Sequence, residues 1–302
     1  MSKFINPFTD VGFKRIFGQE ISKSLLIDFL NTLLEGERYI LDLQFLDKEQ
    51  LAEGSEDRGL IYDVYCKTDT GEHIIVEMQN RSQSYFKERA LLYLSKAIVE
   101  QSKKGRFSGY DFDAVYGVFF MNFTERDFPD KFRTDVALLD TKTKEVFSDK
   151  LRMIFLQLPL FEKDEDHCDT YFDRWIYVLK NMEILNRMPW AAQYATLQKL
   201  AEICETAALT NDERSRYEES IKVYRDNIAI AQRQWDDGKA QGLEQGLEQG
   251  LEQGLEQGLE QGLEQGKMQE KMEIARKMKS LHIPAKQIAE ACGLTEEEIS
   301  QL

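Results

Sequence analysis

Residues 60–80 read LIYDVYCKTDTGEHIIVEMQN. Two apolar runs of strand length flank a Thr-Gly turn, and this stretch limits the fold more than any other, because it demands a hairpin within a sheet. Each run carries one carboxylate, Asp63 and Glu77, where a sheet more often buries Val or Ile. Side chains alternate along a strand, so Glu77 and Gln79 share one face while Val76 and Met78 share the other. A hairpin around DTGE sets Asp63 opposite either Glu77 or Met78, according to the turn. The first register makes the two carboxylates neighbours; the second needs a bulge to do so.

The segments around this pair read as an α/β arrangement. Upstream, Leu25, Leu26, Phe29, Leu30, Leu33 and Leu34 form an apolar stripe at helical intervals, and Gly36 marks its end. YILDLQFL, residues 39–46, alternates as a strand. After the hairpin a long helix is expected from Ser82 to Lys104, then a buried strand in DAVYGVFFMNF, which is almost continuously apolar. TDVALLD, EVFSDKL and RMIFLQLPLF predict two or three further strands. From Cys168 to Trp235 the spacing is helical, with Trp175, Val178, Leu179 and Met182 on one face.

Residues 242–265 are six identical copies of GLEQ. Leu recurs every four residues, so in a helix the stripe drifts by about 40° per repeat and makes no straight heptad seam. Each Gly costs a helix about 1 kcal/mol relative to Ala. The run is therefore either a marginal helix rescued by self-association or a flexible acidic spacer. The final segment predicts short helices: Pro284 starts one, Gly293 stops it, and Thr295 with Glu298 forms a capping box for the last. Its cadence is helix-turn-helix-like, but Glu296, Glu297 and Glu298 would be repelled by DNA phosphates, so packing or assembly is the expected role.

The net charge of −15 opposes general attraction to nucleic acid. Charge is local, however. Residues 81–106 carry Arg81, Lys87, Arg89, Lys96, Lys103, Lys104 and Arg106 against only Glu88 and Glu100. Tyr85, Arg89, Tyr93 and Lys96 fall on one helical face, and alternating aromatic and basic groups suit a nucleic-acid backbone. The bland alternative is a solvated basic face with two half-buried tyrosines. No apolar run approaches a membrane span, and MSKFINPFTD lacks the apolar core of a signal peptide, so a cytoplasmic protein with no membrane partner is expected. The four cysteines are scattered, consistent with buried reduced thiols, and three dispersed histidines offer no zinc pattern.

Two adjacent carboxylates repel in a low-dielectric site unless a cation lies between them. Mg²⁺ or another divalent ion resolves this and leaves positions open for water and phosphate oxygens. An Asp on one strand, Glu-x-Gln on the next, a preceding helix and a basic following helix together resemble the PD-(D/E)XK nuclease core. The opening NPFTDVGFKRIFG, with Asp10, Phe13, Lys14 and Phe17, and the Tyr85/Arg89/Tyr93 helix are similar to the recombination-promoting nuclease (Rpn) and transposase branch.

The resemblance implies an α/β, restriction-endonuclease-like core of order helix-strand-strand-strand-helix-strand, with a helical C-terminal half. It implies a nuclease core with extra strands over 1–165, a helical extension over 166–240, the repeat over 241–266 and the short-helix tail over 267–302. It also implies a Mg²⁺-dependent DNA endonuclease in which Asp63, Glu77 and the Met78 carbonyl bind metal, with Glu20 as a further ligand from the first helical region. Gln79 takes the place usually held by a catalytic Lys, an amide without charge. Lys14, Tyr85, Arg89, Tyr93 and Lys96 would face DNA, and the C-terminal region would mediate homo-oligomerisation. Two other readings are a nuclease-like interaction module working through its repeat, and a DNA-binding regulator using its tail. No DDE-type acid triad stands at useful spacing, so hydrolysis rather than strand transfer is expected.

Overall fold

The computed structural model describes residues 2–47, 49–50, 60–83, 85–103 and 111–302. Lys104 and Arg106 of the basic segment lie outside them. The chain divides into two compact units, residues 1–231 and 232–302.

The first unit opens with α1 (Asp10–Phe17) and α2 (Lys23–Leu33), joined by a 3-10 turn, Glu20–Ser22. Thr9 caps α1 by accepting the Gly12 N–H. Strand β1 (Leu43–Phe45) is shorter than the expected 39–46. The reason is local: Asn31 Oδ1 takes the Ile40 N–H, and Asp69 Oδ1 takes those of Leu41 and Asp42, so these donors are lost to the ladder. Strands β2 (Glu49–Gln50) and β3 (Leu60–Ile61) form a separate small pair.

The expected hairpin is β4 (Val64–Thr68) and β5 (His73–Gln79), turned at Gly71 with φ +107°. Helix α3 (Phe86–Lys103) starts later than Ser82, because Tyr85 adopts a left-handed backbone, φ +65°. Strand β6 (Val115–Met121) is buried at all seven positions. β7 (Arg133–Leu139) and β8 (Val146–Gln157) complete the sheet, and EVFSDKL and RMIFLQ prove to be one strand. The sheet order is β1-β4-β5-β6-β8-β7, with β6 parallel to β5 and β8 and the other pairs antiparallel.

Strand alternation sends Ile74 and Val76 to one face and Ile75 to the other, each into its own core. The first core takes in α1, α2, α4 (Tyr171–Asn181), α5 (Ala195–Cys204) and the start of α6 (Asn211–Ser280). Trp175, Val178, Leu179 and Met182 are fully buried there, so the helices beyond residue 165 share one core with the sheet. The second core lies under α3. All four cysteines are buried and free. No helix among the described residues is long and apolar enough to cross a membrane.

In the second unit the GLEQ run is helical, within α6, and Leu243, Leu247, Leu251, Leu255, Leu259 and Leu263 are 56–76% exposed. Helices α7 (Ala285–Cys292) and α8 (Glu296–Gln301) pack Ile288, Cys292 and Ile299 against Ala275. Gly293 closes α7 in the left-handed region, and Thr295 with Glu298 forms the reciprocal capping box, as the sequence indicated.

Candidate active site

The hairpin register answers the question left open by the sequence. Val64 faces Val76 across β4 and β5, and one further step in that register puts Asp63 opposite Glu77. β4 begins only at Val64, and Asp63 sits in a bend before it. Tyr62 and Tyr65 both enter the second core, so alternation is broken at this bend.

Each acid serves the backbone of the other strand. The Asp63 N–H donates to Glu77 Oε1 at 3.0 Å, and the Met78 N–H donates to Asp63 Oδ2 at 2.8 Å. These bonds explain how two carboxylates survive where Glu77 is only 2% exposed and Asp63 half-buried. They do not remove the cost of charge. Burial raises the Asp63 carboxyl above its ordinary value, and Asp10 adds to the rise, against the Met78 N–H, Lys14 and Arg89. Burial pushes Glu77 up as well, to about 8, with the Asp63 charge next in size; the Asp63 N–H, Arg89 and Gln79 oppose it.

Helix α3 supplies the wall. Arg89 Nη2 lies 4.0 Å from Glu77 Oε2. Its guanidinium donates from Nε and Nη2 to the Tyr93 hydroxyl, at 3.0 and 2.6 Å, and from Nη1 to Gln83 Oε1 at 2.7 Å. Tyr93 is 4% exposed, its ring packed edge-on against Tyr62, whose hydroxyl donates to the Tyr93 carbonyl. Tyr93 therefore points inward and holds Arg89, instead of offering a ring to a base. Tyr85 precedes the helix and is 78% exposed, and Lys96 is half-buried two turns beyond Arg89. On α1, Lys14 pairs with Asp10 at 2.7 Å.

The structure thus brings together Asp63, Glu77, Gln79 and Arg89, with Asp10 and Lys14 near enough to act on Asp63. Met78 lies between the two site residues of β5, its side chain against the first core. Glu20 begins the 3-10 turn, is exposed, and acts on Lys23 of α2. Asp10 is the first-helix acid whose charge acts on Asp63. Its signal was already in the sequence, as the residue after the Thr9 cap and four before Lys14.

The donor set fits a hard divalent cation. Two carboxylates share a buried site, and both resist ionisation, first because burial penalises the charged form and then because a like charge stands nearby. Among the described residues no three His, Cys, Asp or Glu side chains converge to hold an ion, and a hard cation on an acid pair would take its remaining ligands from water, substrate or backbone oxygen. A family model described as PD-(D/E)XK nuclease family transposase matches residues 7–234. No curated protein and no solved structure is a match to this chain.

Proposed function

The chain belongs to the PD-(D/E)XK nuclease family transposases, and from that premise we propose that it is a divalent-metal-dependent DNA endonuclease whose site is the Asp63–Glu77 pair. The observation that carries this reading is the pair of bonds from the Asp63 N–H to Glu77 Oε1 and from the Met78 N–H to Asp63 Oδ2, which hold both carboxylates at one place beside the β4–β5 hairpin. Asp63 and Glu77 would hold the cation, and the Met78 carbonyl is the backbone oxygen nearest in sequence to complete its protein ligands. When bound, Mg²⁺ supplies Lewis acidity and makes a water nucleophilic near neutral pH. Gln79 shares the Glu77 face and orients the attacking water or a phosphate oxygen. Lys14, Tyr85, Arg89 and Lys96 would supply groups for the nucleic-acid backbone.

Hydrolysis adds the water oxygen to phosphorus and breaks the bond to the leaving sugar oxygen, which takes one water proton; the products are a phosphomonoester and an alcohol. The exposed leucines of the GLEQ run are assigned to self-association of the chain.

The test is the full chain with linear duplex DNA and Mg²⁺ or Mn²⁺. Asp63→Ala and Glu77→Ala should each abolish metal-dependent cleavage while circular dichroism stays that of the parent. Cleavage that survives both substitutions would exclude this site.

A further inference from the structure

The acid pair has a shortage of positive charge that one divalent ion only partly meets. Two carboxylates cancel its charge, and a phosphodiester under attack keeps its own negative charge while more develops on the leaving oxygen. Gln79 is a neutral amide, and it carries no positive charge to offer a phosphate. Lys14 is held by Asp10 at 2.7 Å. Arg89 differs from both. It lies 4.0 Å from Glu77 Oε2, and its charge acts on Asp63 and Glu77 alike.

Three of the five N–H groups of its guanidinium are spent on Tyr93 and Gln83. Those bonds, and the stacking of the guanidinium over the Tyr93 ring at 5.0 Å, fix the plane and leave Nη1 and Nη2 one N–H each. Tyr93 is itself anchored from beneath by Tyr62. A cation used only to neutralise Glu77 would gain most by closing to hydrogen-bond distance. Here its bonds to the tyrosine hydroxyl hold it 4.0 Å from the carboxylate, and its side chain stays 34% exposed beside a Glu77 side chain that is 3% exposed.

We propose that Arg89, clamped by Tyr93 and Gln83, donates to a non-bridging oxygen of the scissile phosphate and supplies the positive charge that position 79 lacks. This rests on the nuclease reading above. Preorganised cations of this kind stabilise charge at the moment it develops, because no reorientation is needed.

The test compares full-length wild type, Arg89→Gln, Arg89→Lys and the double variant Gln79→Lys/Arg89→Gln. Cleavage of linear duplex DNA with Mn²⁺ is one readout. The salt dependence of DNA affinity in EDTA is the other, and it needs no metal. Arg89→Gln should lose cleavage by about 100-fold or more, and the slope of log affinity against log salt should shrink by about one, as for the loss of one phosphate contact. The added lysine of the double variant, on the Glu77 face, should restore cleavage and slope together.

An Arg89→Gln protein that cleaves at the parental rate, or an unchanged salt slope, overturns the proposal. So does a double variant that folds but recovers neither readout, since Arg89 would then be a structural counter-ion. If Arg89→Gln does not fold, Arg89→Lys decides: retained cleavage supports the proposal and background cleavage overturns it. A wild-type chain no more active than Asp63→Ala sinks the nuclease reading itself, and this one with it.

Discussion

Glu77 is an acid with almost no contact with water, and its stability cost is a function of pH. Its folded-state value lies above that of the unfolded chain, from 4.5 to about 8. In that window the folded protein holds a proton the unfolded chain has released, so stability falls as pH rises through it. Urea midpoints measured in EDTA should therefore be lower at pH 8 than at pH 5. Glu77→Gln should flatten the difference, since an amide oxygen can still accept the Asp63 N–H. Added Mn²⁺ should recover most of the loss at pH 8 by replacing the proton. Tyr93 is the second informative residue, because its hydroxyl takes two bonds from Arg89. Tyr93→Phe keeps the ring against Tyr62 and should cost about 0.5–1.5 kcal/mol in urea unfolding. Its cleavage rate should fall further than that stability loss explains, because Arg89 is released from its plane.

At the scale of elements, the site depends on where α1 and α3 begin. Helix α1 starts in a turn so tight that a Cβ on Gly12 would lie 2.1 Å from the Asn6 carbonyl oxygen and 2.7 Å from Thr9 Oγ1. Backbone cannot yield as a side-chain tip can, and Thr9 is the cap. Gly12→Ala should cost about 1–3 kcal/mol by overpacking, read as a lowered thermal midpoint, and should weaken cleavage by displacing Asp10 and Lys14. The start of α3 carries a different lesson. Periodicity placed Tyr85, Arg89, Tyr93 and Lys96 on one face, which the spacing supports, but it could not say which way that face turned. Tyr93 packs into the second core and Tyr85 precedes the helix with a left-handed backbone. A tyrosine that fits both a core and a nucleic-acid surface gives no sign of which it will join.

Over the whole molecule, both cores flanking the sheet draw their buried side chains from residues before 222. The leucines of the GLEQ run have no such support. With Gly at every fourth position at about 1 kcal/mol each, amides of residues 242–265 should exchange with deuterium far faster than those of β6. Protection that rises with protein concentration would report the proposed self-association; rapid exchange at every concentration would mark a solitary helix. The sequence by itself determined the apolar runs of β4 and β5, the unbroken apolar run of β6, the core stripes on α2 and α4 and the stop signals around Gly293, because each follows from the local pattern of one element. It also marked Asp63 and Glu77 as acids out of place in a sheet. Only the tertiary structure decided that they stand opposite each other, that the charge of Asp10 acts on Asp63, and that Tyr93 turns inward to hold Arg89. Those facts depend on register and on packing between segments far apart in the chain, and no local periodicity carries that information.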